Sequence, residues 1–131
     1  ESNCIASIKK TNSIWNINSF AEYYLQIYEK YSKTYSAACD SIANERKRFI
    51  GELSKIQNLR VFESQANFII CRLEGKLTAK ELAVYLIENH NIFIKDLTGK
   101  KCFDSGRYLR LAIRDENDNN ALINAIKQIE L

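Results

Sequence analysis

From Phe20 onward, apolar positions recur at the spacing of a helix. Phe20, Tyr23, Tyr24, Ile27 and Tyr31 stand three and four residues apart, which places them on one face of an amphipathic helix that Asn18 or Ser19 caps. Tyr35, Cys39, Ile42, Phe49, Leu53 and Ile56 continue at steps of three, four and seven, opposite Glu45, Arg46, Lys47, Arg48 and Glu52. This predicts a second helix of about six turns. The stripe lasts only about three heptads before the pattern changes, so it reads as a core-packing face and not as a coiled-coil seam.

After Asn58 the period shortens to two. Leu59 to Phe62 and Asn67 to Leu73 read as strands joined by the polar link Glu63-Ser64-Gln65. Thr78-Ala79-Lys80-Glu81 has the S/T-x-x-E form of a capping box, and Leu82, Tyr85 and Leu86 give the following helix its buried stripe as far as Asn89. Ile92 to Lys95 predicts a short strand, Leu97 to Gly106 a polar loop, and Tyr108 to Arg114 a strictly alternating strand. Asp115 caps a last helix with Leu122, Ala125, Ile126 and Ile129 inside. The predicted order is ααββαββα, an α+β fold in which helices cover a small sheet. No repeat or low-complexity linker divides the 131 residues, so a single domain is expected over 1–131.

Composition adds to this picture. With 46% apolar residues, 7 Tyr and 6 Phe, the chain has enough to bury, and a disordered chain is excluded. The net charge of +3 is spread along the length, unlike the concentrated basic face of a nucleic-acid binder, so no nucleic-acid partner is expected. The apolar runs reach about four residues against the ~20 of a membrane-spanning helix, and no membrane partner is expected. The first residues lack the charged start and apolar stretch of a signal peptide, which makes the cytoplasm the expected compartment. Proline is absent, which favours long helices, and methionine is absent even at position 1, as expected of a piece of a longer protein. Cys4, Cys39, Cys71 and Cys102 form no C-x-x-C, so the reading is reduced thiols, mostly packing groups, with no metal site.

Candidate chemistry is sparse. The one histidine, His90, falls at a predicted helix C-terminus, where a cation suits the dipole, and it has no second histidine to work with. Gly99 and Gly106 are too far apart for a phosphate loop. The informative segment is 108–114, whose alternation places Leu109, Leu111 and Ile113 on one face and Tyr108, Arg110, Ala112 and Arg114 on the other. A guanidinium on a rigid strand matches a carboxylate or phosphate bidentately, and Lys95 in the preceding strand adds a second cation; both also fit an ordinary solvated sheet face.

Several segments, taken together, resemble a known family. Trp15-Asn16-Ile17-Asn18-Ser19-Phe20-Ala21 resembles the "PWNVNSLA" segment of histidinol-phosphate aminotransferases and threonine-phosphate decarboxylases, without its proline. Glu45-Arg46, Gln65-Ala66-Asn67-Phe68, Ile94-Lys95-Asp96 and Tyr108 to Arg114 with Asn117 and Asn120 follow in that family's order. The resemblance covers essentially the whole chain. It implies the C-terminal small domain of a fold-type I, pyridoxal-phosphate-dependent enzyme that acts as a homodimer. It implies that Arg110 grips the α-carboxylate of an amino-acid substrate and that Lys95 stands where many relatives carry an arginine that meets a distal phosphate. It also implies that Asn16 and Asn18 border the cleft. The Schiff-base lysine and the cofactor's other contacts belong, on this resemblance, to a large domain upstream, so Lys9 and Lys10 are not assigned to the cofactor. The isolated chain is then expected to be inactive and to hold no cofactor. A different class of protein also fits the residues: a non-catalytic α+β module that binds an anionic ligand or a protein partner through the Arg110/Arg114 face.

Overall fold

The computed structural model describes residues 2–11, 17–103 and 105–129. They fall into two compact units, residues 1–37 and 38–131. The described residues form an α+β fold with four helices and one four-stranded antiparallel sheet.

The first unit is helical. Helix α1, Ser2–Thr11, has no counterpart in the sequence reading; its apolar pair Ile5 and Ile8 is too short to register as a period, and both side chains are exposed. Lys9 and Lys10 sit in its last turn, where they complement the helix dipole. Helix α2 spans Ser19–Leu53, continuing past Ala37 into the second unit. The two helices expected before Ile56 are therefore one, 35 residues long. The apparent break at Ser32-Lys33-Thr34 is not one, because Tyr31 and Tyr35 are themselves one helical step apart and the Ser32 hydroxyl folds back to donate to the Glu29 carbonyl at 2.8 Å. Tyr24 and Tyr28 lie 6.0 Å apart and Tyr28 and Tyr35 5.9 Å apart along this continuous face. The rings are exposed in this chain, Phe20 at 84% most of all.

The second unit holds the sheet. Strands β1 (Leu59–Val61), β2 (Phe68–Leu73), β3 (Lys95–Asp96) and β4 (Tyr108–Ala112) stand in the order β1-β2-β4-β3, every pair antiparallel. Ile69, Cys71 and Leu73 of β2 and Leu109 and Leu111 of β4 point into a core shared with Phe49 and Leu53 of α2. Helices α3 (Ala79–His90) and α4 (Glu116–Lys127) complete it with Leu82, Leu86, Leu122 and Ile126.

Helix ends follow from side chains. Thr78 accepts from the Glu81 N–H while Glu81 accepts from the Thr78 N–H at 2.8 Å, the reciprocal capping box the sequence predicts. Asp115 caps α4 by accepting from the Asp118 N–H at 2.9 Å. The strand expected at Ile92–Lys95 shrinks to Lys95–Asp96. Asn91 takes the left-handed conformation (φ 55°) and the Ile92 N–H donates to the Leu86 carbonyl, so residues 91 and 92 close α3 and are not free to pair. The thiols also differ from expectation. Only Cys71 packs in the core, whereas Cys4, Cys39 and Cys102 are exposed.

Candidate functional site

The alternation of β4 is realised in the fold. Leu109, Leu111 and Ile113 are buried, and Tyr108, Arg110 and Ala112 face the other way, on the side of the sheet that helices do not cover. Antiparallel register then decides who meets whom. Arg110 stands directly opposite Ile70 on one side and Lys95 on the other. The two candidate cations therefore occupy adjacent positions of one face, about 4.5–5.5 Å apart at Cβ.

Arg110 lies over the ring of Phe68, its guanidinium carbon 5.3 Å from the ring centroid. An aromatic face beneath a guanidinium holds its plane without using its hydrogen-bond donors. Among the described residues neither Arg110 nor Lys95 belongs to an ion pair; those present are Arg48–Glu45, Lys55–Glu52 and Arg114–Asp118. The donors of both cations remain available to an external anion. Arg114 differs, because its Nε donates to Asp118 one turn into α4 and its charge is already matched.

Beside Arg110 the loop 63–66 is held rigidly. Arg46 of α2 donates through Nη1 to the carbonyls of Gln65 and Ala66 (both 3.2 Å) and through Nη2 to Gln65 Oε1 (3.1 Å). Ser64 Oγ donates to the Phe68 carbonyl (2.6 Å) and accepts from the Ala66 N–H (3.0 Å). This loop walls a groove of about 540 Å³ whose floor is Phe62, Phe68, Ile70 and Tyr108, with Phe103 along the far side.

A second polar cluster anchors the end of β4. Asn119, only 2% exposed, donates to Glu45 Oε1 (2.7 Å) and to the Arg114 carbonyl (3.0 Å), and its Oδ1 accepts from the Arg114 N–H (3.1 Å). Arg48 donates to both Glu45 oxygens (2.8 and 2.6 Å) and to Asn120 Oδ1 (2.9 Å). The hydrogen bonds from Arg48 hold the Glu45 carboxyl below its ordinary pKa; partial burial opposes this, and Asn119 and the Arg48 charge reinforce it.

The sequence reading names Lys95 and Arg110, and the structure brings them together. Asn18 belongs to the first unit, where its Oδ1 accepts from the Ala21 N–H at 2.9 Å and caps α2. Asn16 lies outside the described residues. Asn119 was missed although Asn117 and Asn120 on either side were singled out; its spacing of four from Asp115 was the available signal. His90 ends α3 as expected, its Nε2 3.4 Å from the Tyr85 hydroxyl. Among the described residues no three His, Cys, Asp or Glu side chains gather as metal ligands, and no helix is long and apolar enough to cross a membrane.

The open sheet face of this α+β unit presents two adjacent cations outside any ion pair, and comparison with known proteins gives the chain a family. Residues 3–126 match the family Aminotransferase class I and II. The chain is 29% identical over 131 residues to the L-serine phosphate decarboxylase of Sulfurospirillum multivorans, covering 98% of this chain and 33% of that protein. It is 30% identical over 125 residues to the histidinol-phosphate aminotransferase of Neisseria meningitidis serogroup B, covering 95% and 33%. The crystal structure of the histidinol-phosphate aminotransferase from Clostridium acetobutylicum superposes with a TM-score of 0.78 at 36% identity, covering 94% of this chain and 36% of that one. The chain belongs to the class I and II aminotransferase family and spans about a third of the length of these relatives.

Proposed function

We propose that this chain is the C-terminal small domain of a pyridoxal-phosphate-dependent aminotransferase or decarboxylase and supplies its parent with the groups that hold the substrate's anionic ends. The observation that carries the proposal is the unpaired Lys95–Arg110 pair on the open face. Arg110, in the sheet interior and stacked on Phe68, receives the α-carboxylate as a fork; Lys95 at the edge offers a point charge to a second anionic group. Holding the carboxylate fixes the amino acid's α-carbon against the cofactor, and that positioning is itself a large part of the rate.

The chain spans about a third of its relatives' length, which leaves room in the parent for a separate cofactor-binding domain. This supports placing the cofactor's lysine in the large domain of the same parent. The pyridoxal phosphate bound there withdraws electrons from the amino acid's α-carbon. The parent works as a cytoplasmic homodimer in this reading, and the 131-residue chain alone neither transaminates nor takes up cofactor in stoichiometric amount.

Kinetics of the full-length parent carrying Arg110→Ala test the proposal. The expected outcome is a fall in kcat/KM on every accepted amino acid with cofactor occupancy unchanged. Near wild-type kcat/KM throughout overturns it.

A further inference from the structure

The open face carries a second pair of cations that the proposed function does not use. Arg60 of β1 and Arg72 of β2 are direct cross-strand partners, and Arg72 is in turn partnered by Tyr108 of β4. Like charges directly opposite each other in a sheet are destabilising, and no carboxylate among the described residues pairs with either. Arg72 adds a further cost. Its Nε is buried and has no hydrogen-bond partner, and a buried donor left unmatched is expensive.

Aromatic rings continue outward from this pair. The Arg60 guanidinium lies 5.2 Å over the Phe62 ring, Phe62 stacks on Tyr108 at 6.2 Å and 28°, and Tyr108 meets the edge of Phe103 at 5.1 Å and 71°. Phe62, Tyr108 and Phe103 also line the groove of about 540 Å³, so Arg60 over Phe62 and Arg72 opposite Tyr108 each neighbour a residue of its lining. Two adjacent guanidinium groups present two positive charges in fork geometry, and a single carboxylate would match only one of them. A phosphomonoester carries about −1.5 to −2 at neutral pH and has three acceptor oxygens, which matches the pair in charge and in donors.

We propose that Arg60 and Arg72 bind the phosphate of a phosphomonoester whose flat apolar body lies in the groove between Phe62, Phe68, Ile70, Phe103 and Tyr108. Its cations are not Lys95 and Arg110, although Phe68 and Ile70 of the groove also neighbour Arg110. Ligand binding relieves the repulsion across β1 and β2.

The test is a titration of the 131-residue chain with phenyl phosphate, inorganic phosphate and benzoate, followed by the side-chain Nε–Hε signals of its arginines and the ring signals of Tyr108. Phenyl phosphate should shift the Arg72 Nε–Hε signal saturably, with a Kd at least about fivefold below those of inorganic phosphate and benzoate. Arg60→Gln and Arg72→Gln, read at the Tyr108 ring, should each weaken phenyl phosphate roughly tenfold or more, while Arg60→Lys and Arg72→Lys retain part of the affinity. Lys80→Gln, on α3, should leave it within about threefold. Absence of saturation by ~20 mM phenyl phosphate, equal affinity for benzoate, or unchanged binding in folded Arg60→Gln and Arg72→Gln variants each overturns the proposal.

Discussion

Lys95 and Arg110 are cross-strand partners, one on the sheet's edge strand and the other on an interior strand, with no carboxylate between them among the described residues. Their separation in sequence hides this adjacency, which antiparallel pairing of β3 with β4 creates.

If the pair holds substrate, Arg110→Ala in the full-length parent removes a charge-assisted fork and leaves a carboxylate poorly compensated. The expected loss is roughly 2–5 kcal/mol, or ~30- to several-thousand-fold in kcat/KM. Arg110→Lys should recover part of it, since a point charge cannot reproduce the fork. Arg114→Ala should cost less, because Arg114 is already paired with Asp118 at an exposed site. Steady-state kinetics across several amino acids decide the ranking.

Lys95→Ala separates substrate classes. On a phosphorylated amino acid its kcat/KM should fall about tenfold further than on an unphosphorylated one, because only the former has a second anion for the ammonium to meet. Equal losses on both remove the distal-anion role from Lys95.

Asn119→Ala should destabilise the chain by about 1–3 kcal/mol, because it strands the Arg114 N–H and carbonyl and takes a donor from Glu45 in a buried position. Urea midpoints at unchanged slope measure it. Asn119→Asp should be worse at neutral pH, since it sets a second carboxylate against Glu45.

Acid should act through Glu45. Its folded pKa lies below its unfolded value, so its contribution is fully present above the unfolded carboxylate range and is lost as pH falls through the folded value. Glu45→Gln should therefore be less stable than wild type at about pH 7, with the gap closing below about pH 4. A gap of constant size from neutral to acid would show that the Glu45 charge does not contribute.

The thiols give a chemical readout of the core. Burial pushes the Cys71 thiol up to about 12, while Cys4, Cys39 and Cys102 are exposed. A thiol reagent at about pH 8 should label those three in the native chain and reach Cys71 only after unfolding. Mass mapping of the labelled peptides checks this.

What was legible in the sequence tracks what is locally encoded. Thr78 with Glu81 and Asp115 with Asp118 write helix starts into four-residue windows, and β4 declares its two faces by alternation, so these elements stand where they were expected. The division of α2 into two helices failed because its apolar positions were taken as two successive sets, although Tyr31 and Tyr35 are one helical step apart and the Ser32 hydroxyl bonds within its own helix. Ile92 looked like strand because apolar alternation does not reveal that its N–H is already committed to closing α3. The place of Arg110 on the exposed face of its strand was legible from alternation; the opposition of Arg60 to Arg72, and the hold of Arg46 on Gln65 and Ala66, depend on register and long-range contact, which no local window contains.

The sheet order gives the two cations of the site unequal footing. Arg110 sits on a strand bonded on both sides, whereas Lys95 sits on a two-residue edge strand tied to β4 alone, in the segment that the Asp96–Thr98 turn ends. If Arg110 and Lys95 hold substrate as proposed, one jaw of the site is fixed and the other is replaceable. Substitutions or insertions around β3 would then alter which distal group is gripped while leaving the carboxylate anchor untouched, and changes of substrate would fall on the strand whose alteration costs the sheet least.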